Sequence, residues 1–333
     1  MLRWAAIGTG FITNTMVTAI EQSPGSRLDV VAGRSTERTE TFRAQHGIDR
    51  ALSIEAAIND PRIDAVYIGT PNHAHHELAV AAARAGKAVL SEKSLTRTMA
   101  TARELVDSVR LTNAFFVEGL MYLAHPLYET VLDVLSDGRL GELRSVNGRY
   151  AANISNVVNA AGGGTLYNIG CYPTSLLHLV VQTMCGPGAF GERSAVAVGA
   201  RNGDGNVSDT AISIRFDNGV LASLQSTDEY GMSHAFTVTG NNGTLTFDNN
   251  PWLPVAGRNQ LTWQPFDGVA EVIVVNNDHD AFFHQVQMVE RHVTAGHAEA
   301  ARPSPRLDDS LEIMQLLTDW EAAVPARLRR PQF

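Results

Sequence analysis

Cys171 and Cys185 are the only two cysteines among 333 residues, too few for a disulfide framework and suited to a reducing compartment, where two buried thiols are the expected state. Charge is sparse too. Charged residues make up 18% of the chain against 44% apolar ones, a balance that disordered chains do not have. A formal net charge of -9, with no long run of Lys or Arg, leaves no face that could neutralise phosphates, which argues against a nucleic-acid partner. No apolar stretch approaches the ~18 residues that a membrane span needs. The N-terminal run from Met1 to Ile7 meets Gly8 at once, too early for the apolar core of a secretory signal. Together these absences predict a globular, cytoplasmic protein with neither membrane nor nucleic acid as partner.

The length exceeds what one hydrophobic core usually organises and points to about two domains. Up to Glu118, short apolar runs alternate with helical patterns, the rhythm of βαβ units around a parallel sheet. The strand candidates are Arg3 to Ile7, Leu28 to Gly33, Asp64 to Gly69, Ala88 to Ser91 and Ala114 to Glu118. Between them lie helical stretches near Ile12 to Gln22, Thr36 to His46, Asn72 to Ala85 and Met99 to Thr112, with Thr98 as a cap and Gly86 as a left-handed stop. Residues 1–120 therefore read as a doubly wound nucleotide-binding domain of the α/β class.

After Glu118 the texture changes. A helix near Pro126 to Asp137 leads into strand-like runs at Leu143 to Ala151, Ala195 to Arg201, Thr210 to Phe216, Val220 to Thr227, Ala235 to Gly240, Gly243 to Phe247 and Glu271 to Val275. Asp217-Asn218-Gly219 and Asn241-Asn242-Gly243 are hairpin chemistry, because Asn and Gly tolerate positive φ. Residues 121–333 thus predict an α+β domain with a large, open, mostly antiparallel sheet. Helices near Pro173 to Met184, Ala281 to Ala295 and Asp309 to Ala323 would cover one of its faces.

The first strand runs straight into Gly8, Thr9, Gly10, Phe11, Ile12 and Thr13, a G-x-G-x-x-G turn lacking its third glycine. Such glycines let the backbone approach a pyrophosphate, which then rests on the amides of the helix start. Thr13 in place of the last glycine predicts slightly looser helix packing. At the end of the second strand, where an NAD site carries an acid for the ribose hydroxyls, the chain has Gly33, Arg34 and Ser35. Arg34 can stack on adenine and pair with a 2′-phosphate, Ser35 can donate to it, and Arg38 lies one helical turn on. The cofactor expected is NADP.

At the fourth strand Ser91, Glu92, Lys93 and Ser94 put a lysine at the carboxyl end of the parallel sheet, where α/β folds hold ligands. It can bind a substrate oxygen and lower the pKa of a neighbouring hydroxyl. Here the chain resembles the glucose-fructose oxidoreductase / inositol dehydrogenase / rhizopine catabolism family, Gfo/Idh/MocA, over nearly its whole length. The resemblance rests on four motifs in order: Gly8 and Gly10; Thr70, Pro71 and Asn72 with His75; Ala85 to Lys87 leading to Glu92 and Lys93; and Gly162 to Gly164 followed by Asn168, Gly170 and Tyr172. Tyr172, together with Met121, Tyr122, His125 and Pro126, is similar to the branch containing dihydrodiol dehydrogenase, NADP-linked xylose dehydrogenase and glucose-fructose oxidoreductase. The chain departs from the pattern at Ser94, where proline is usual, at Asn168, where aspartate is usual, and at Leu123, where arginine often stands.

The resemblance implies hydride transfer between NADP(H) and a sugar, ketosugar, polyol or trans-dihydrodiol, with Lys93 and Tyr172 as the catalytic pair. The Tyr172 phenol, with an ordinary pKa near ~10, would pass the proton beside the lysine ammonium. Asn168 is the third catalytic candidate. It can orient substrate or Lys93 but cannot serve as a carboxylate base. Cofactor-binding candidates are Gly8, Gly10, Phe11, Ile12, Arg34, Ser35, Arg38, Thr70, Pro71, Asn72, His75, Glu92 and Lys93; substrate-binding candidates are Lys93, Tyr122, His125, Asn168 and Tyr172. Two other functions remain open: a redox-neutral enzyme that retains its nicotinamide, cleaving glycosides or isomerising sugars, and a non-catalytic dinucleotide sensor. No metal is expected, because His73, His75 and His76 are followed by no cysteine or acid at ligand spacing. The default assembly is a homodimer or homotetramer through the C-terminal sheet.

Overall fold

The structure, a computed structural model, describes residues 1–325. The chain divides into two compact units, Met1–His125 with His279–Leu311, and Pro126–Asp278 with the residues from Glu312.

The first unit runs β1 (Leu2–Ile7), α1 (Phe11–Gln22), β2 (Ser26–Ala32), α2 (Thr36–His46), β3 (Arg50–Leu52), α3 (Ile54–Ile58), β4 (Ala65–Ile68), α4 (His75–Arg84), β5 (Ala88–Glu92), α5 (Met99–Thr112) and β6 (Phe116–Gly119). Its six strands form one sheet in the order β3-β2-β1-β4-β5-β6, every pair parallel. This is the doubly wound arrangement, and the strand order reverses between β1 and β4, the place where such sheets bind ligands. Local chemistry sets the helix limits. The Ser35 hydroxyl accepts from the Arg38 amide to cap α2, and Gly47 ends that helix with φ 64°. Thr98 caps α5 through the Thr101 amide, and Gly86 turns left-handed after α4 with φ 73°.

The second unit contains α6 (Leu127–Ser136), β7 (Leu143–Ala152), α7 (Cys171–Cys185), β8 (Arg193–Arg201), β9 (Val207–Phe216), β10 (Leu221–Thr227), β11 (Met232–Gly240), β12 (Gly243–Phe247), β13 (Gly257–Pro265) and β14 (Glu271–Asn277). Eight strands make one open sheet ordered β14-β13-β12-β11-β7-β10-β9-β8, antiparallel throughout except where β10 runs parallel to β7. Along the central strands alternate residues are buried: Ile212, Ile214, Ala222, Leu224, Phe236 and Val238 face inward, whereas Ser213, Arg215, Leu221 and Ser223 are exposed. That period of two is what a sheet covered on one face requires.

The chain then forms α8 (Ala281–Thr294) and α9 (Leu307–Ala323). The Trp320 indole of α9 is fully buried and donates to the Thr210 hydroxyl of β9 at 2.9 Å. In contrast, α8 does not cover the large sheet as its sequence position suggested. Its Val286, Met288 and Val289 share one core with Met16, Val17 and Ile20 of α1, so the apolar stripe of α8 completes the first unit. A single boundary near residue 120 therefore describes only the first of the crossings between the units. Strands β3 and β13 were not anticipated, because β3 has three residues and β13 reads GRNQLTWQP, with little alternation to detect.

The missing third glycine of the dinucleotide turn is accommodated from across the sheet. Thr13 is fully buried, and a Cβ on Gly69 would lie 2.6 Å from its hydroxyl oxygen and 2.7 Å from the Tyr67 ring. Position 69 is thus where the bulk of Thr13 is absorbed. Gly69→Ala should cost ~1–3 kcal/mol by overpacking, lowering the thermal midpoint by roughly 2–4 °C per kcal/mol. Thr13→Ala in the same chain should recover part of that loss in melts followed by circular dichroism, whereas additive losses would show that the two residues do not compete for space.

Candidate active site

In the first unit the ends of β1, β2, β4, β5 and β6 carry the expected cofactor residues. Gly8 has φ 120°, and a Cβ there would stand 2.6 Å from the Gly69 carbonyl oxygen; only glycine lets the turn pass this close to β4. Gly10, at the N-cap of α1, has nothing within 4 Å of where a Cβ would be, and no side chain caps the first turn. Phe11 is 86% exposed and Ile12 half-buried. The amides and positive end of α1 are therefore uncovered, as a bound pyrophosphate needs.

At the end of β2, Arg34 and Arg38 are exposed, and neither guanidinium bonds or pairs with another described residue. The Ser35 hydroxyl accepts from the Arg38 amide at 3.3 Å and keeps its own hydrogen to donate. Beside them a hollow of about 300 Å³ is lined by Thr9, Glu37, Arg38, Thr41, Phe42 and Gln45. An open glycine turn, a bare helix start and two unengaged arginines fit a 2′-phosphorylated dinucleotide.

After β4, Thr70 and Pro71 lead into a short 3-10 turn at Asn72–Ala74. Asn72 is buried, and the buried Thr70 hydroxyl has no hydrogen-bond partner among the described residues. His75 is completely enclosed. Its ring nitrogens lie 3.0 Å from the Ser94 carbonyl oxygen and 2.8 Å from that of Thr70. Burial above all pulls its pKa down to about 4 while the two carbonyls oppose the shift, and the ring links the segment after β4 to the segment that follows Lys93. His75 meets those two backbones, and it offers no surface to solvent.

Lys93 follows β5 and is half-buried; the peptide bond joining it to Ser94 is cis although residue 94 is not proline. Two buried carboxyls accompany it. Glu92 accepts from the Tyr67 hydroxyl at 3.0 Å, and burial raises its pKa while the Lys93 charge opposes the shift. Glu118, at the end of β6 and 2% exposed, is raised to about 7, chiefly by burial; Ser310, the Leu95 amide and Lys93 work the other way. Tyr122 and His125 are both fully enclosed in this unit. The His125 ring packs edge-on against His284 at 5.1 Å, and burial lowers its pKa to about 4.

In the second unit the triple-glycine turn has a clear cause at Gly164, where φ is 80° and a Cβ would collide with the Val207 carbonyl oxygen of β9. A π-helical turn, Leu166–Gly170, follows and runs into α7. Asn168 lies on this turn, half-buried, its backbone N–H donating to the Gly164 carbonyl at 3.1 Å. Four residues later Tyr172 is 8% exposed, its ring 5.5 Å from that of Tyr150 and 6.3 Å from Trp252. Asp228 is 2% exposed, and its pKa is raised to about 6, first by burial and then by Glu229, with the Asn168 side chain opposing the shift.

Glu118, Tyr150, Trp252 and Asp228 were not among the residues expected at the site. A signal existed for Asp228: residues 222, 224 and 226 of β10 face inward, and 228 continues that row, so an acid there is an inward acid. Glu118 likewise ends an apolar strand of a parallel sheet, buried on both sides. Trp252 sits in a loop that no pattern marks. Among the described residues no group of histidine, cysteine and carboxylate side chains could hold a metal ion, and no helix is long and apolar enough to cross a membrane.

Comparison with known proteins adds the family. Residues 2–119 match the Gfo/Idh/MocA model described as an oxidoreductase family with an NAD-binding Rossmann fold, and residues 128–246 match the Gfo/Idh/MocA C-terminal domain. The chain is 29% identical over 260 residues to trans-1,2-dihydrobenzene-1,2-diol dehydrogenase of Bos taurus, covering 76% of each protein. It is similar to the structure of KijD10, a 3-ketoreductase from Actinomadura kijaniata solved with TDP-benzene and NADP, with TM-score 0.82, 27% identity and coverage of 97% and 98% of the two chains. Levoglucosan dehydrogenase shares the fold, with TM-score 0.80 at 21% identity over 97% and 96% of the two chains.

The buried acid at the end of β6 generates a stability prediction. A carboxyl whose pKa rises on folding from 4.5 to about 7 favours the folded state fully at pH values below 4.5, and that advantage is lost as pH rises through about 7. At pH 8 the buried charge should cost roughly 2–4 kcal/mol relative to a neutral amide. Glu118→Gln should accordingly raise the unfolding midpoint at pH 8 and leave it nearly unchanged at pH 4.5. An equal effect at both pH values would show that Glu118 does not titrate on folding.

Proposed function

Because the chain belongs to the Gfo/Idh/MocA family of oxidoreductases, we propose that it is an NADP(H)-dependent dehydrogenase or reductase acting on CH–OH groups of a sugar, ketosugar, polyol or trans-dihydrodiol. The observation that carries the reading is the pair of unengaged arginines, Arg34 and Arg38, beside an uncovered helix start behind Gly8 and Gly10. An acid at residue 34 would have favoured ribose hydroxyls; guanidinium groups favour a phosphate there. The relatives support the substrate range, since one is a dehydrogenase of a trans-diol and another a 3-ketoreductase solved with NADP.

In this reading Gly8, Gly10, Phe11 and Ile12 take the pyrophosphate, Arg34, Ser35 and Arg38 the 2′-phosphate, and Thr70, Pro71, Asn72 and Glu92 the nicotinamide end, with His75 holding the segments that carry them. When bound, the nicotinamide supplies or takes the hydride at its C4. The rest is proton transfer and alignment. The Lys93 ammonium binds the reacting substrate oxygen and stabilises negative charge on it. The Tyr172 phenol donates the proton to that oxygen during reduction and accepts it during oxidation. Its ring packs against Tyr150 and Trp252, which fixes where the hydroxyl points. Asn168 contributes hydrogen bonds and no charge.

An absorbance screen of NADP+ and NADPH against sugars, polyols, ketosugars and diols should find net turnover of free cofactor, the behaviour that a redox-neutral enzyme with retained nicotinamide lacks. With the best substrate, Tyr172→Phe should lower kcat by ~10²–10⁴-fold, and Lys93→Met by a similar factor, while the NADPH Kd stays nearly constant. The double variant should lose much less than the product of the single losses. A Tyr172→Phe enzyme within about threefold of wild type would remove Tyr172 from the mechanism.

A further inference from the structure

Beside the dinucleotide turn, one half-buried asparagine has both ends of its side chain engaged. Asn14 is the fourth residue of α1, and its side-chain nitrogen Nδ2 donates to the Gly10 carbonyl at 3.2 Å. A carbonyl can only accept, so the NH2 end of the amide faces Gly10 and the amide oxygen faces the other way. There His46, the last residue of α2, sets its ring Nε2 at 2.7 Å from the Asn14 Oδ1. That oxygen also can only accept, so the hydrogen of the imidazole sits on Nε2. The His46 ring lies 4.4 Å from that of Phe42, a buried member of the first unit's core.

The Gly10 carbonyl also accepts from the Thr13 and Asn14 backbone N–H groups, at 3.1 and 3.4 Å, so the Asn14 side chain is a third donor to the oxygen that opens α1. In a trans peptide the C=O and the N–H that follows it point in opposite directions. Holding the Gly10 oxygen toward the helix therefore aims the Phe11 N–H out of the helix start, where a pyrophosphate rests. Packing does not brace this peptide, since among the described residues nothing lies within 4 Å of where a Gly10 Cβ would be. Hydrogen bonds to the carbonyl are what set its direction.

We propose that Asn14 and His46 are positioning residues for the dinucleotide: the Asn14 amide aligns the Gly10–Phe11 peptide with the pyrophosphate, and His46 keeps that amide the right way round. This role rests on the NADP(H) reading above and deepens it. Without the His46 donor, the Asn14 amide can turn over, which would set its oxygen against the Gly10 oxygen. The same bonds join the two phosphate sites of the cofactor. Helix α2 starts at the Ser35 cap beside Arg38, on the side of the 2′-phosphate, and ends at His46, which is tied through Asn14 to the pyrophosphate turn.

Binding separates alignment from structural support, with no turnover required. NADP+ carries the pyrophosphate, whereas adenosine 2′-monophosphate would engage Arg34 and Arg38 without one. In calorimetric and chemical-shift titrations of the full-length protein, Asn14→Ala should weaken NADP+ by about 3–10-fold, the worth of one hydrogen bond, and leave adenosine 2′-monophosphate within about twofold. Alanine is the better helix former, so the thermal midpoint should move little. His46→Ala should also weaken NADP+, and His46→Gln, which keeps an N–H donor, should restore most of the loss. Asn14→Ala combined with His46→Ala should bind no more weakly than Asn14→Ala alone, because His46 acts through the amide. An Asn14→Ala protein that keeps wild-type NADP+ affinity, or that loses both ligands equally, would overturn the proposal. Equal losses in His46→Gln and His46→Ala would overturn the part assigned to His46. A wild-type protein that binds neither NADP+ nor NAD+ would instead overturn the cofactor reading, and this role with it.

Discussion

The constraint on which the first unit's site depends is the passage of the turn after β1 past the end of β4. One methyl group on Gly8 would stand 2.6 Å from the Gly69 carbonyl oxygen, so glycine is the residue that lets these two strands end side by side. From that approach the rest follows. With β1 and β4 adjacent and the strand order reversing there, α1 starts at the rim of the sheet with its first amides bare. The next segment of β4 carries Thr70, and β5 carries Lys93, at the same carboxyl end. Thr13 fits where a glycine is usual because Gly69 yields the space.

A second theme is the burial of acids, which opposes their ionised form. Glu92, Glu118 and Asp228 all have raised pKa values, and burial is the first cause in each. Asp60 shows the contrast: hydrogen bonds from Arg62 and Arg50 hold its carboxyl well below the usual range. Groups of the first kind are destabilising near neutral pH and concentrate where proteins trade stability for function. Here they accompany Lys93 in one unit and Asn168 in the other.

Much of this architecture was legible in the sequence because the relevant signals are local. Apolar runs broken by caps such as Ser35 and Thr98 gave the parallel sheet and its helices, and Asn-Gly turns gave the antiparallel one. The membership of α8 was not legible, since an apolar stripe reveals that a helix is covered but not by which core; Val286 and Val289 packing beside Met16 is a tertiary fact. The candidate site divides in the same way. Gly8, Gly10, Arg34, Lys93 and Tyr172 stand out through position in a motif. The enclosure of His75 between two carbonyls depends on which segments lie adjacent in space, 19 residues apart in the chain, and Asp228 comes near the Asn168 turn only through β10.

The central claim, that Arg34 and Arg38 select a 2′-phosphorylated dinucleotide at an open glycine turn, is tested most directly by calorimetric titration of the purified protein with NADP+ and with NAD+. NADP+ should bind at least ~10-fold more tightly, with a preference that weakens as salt is raised and reverses in Arg34→Asp. Tighter binding of NAD+ by the wild-type protein, or equal affinity for the two that Arg34→Asp leaves unchanged, would contradict it.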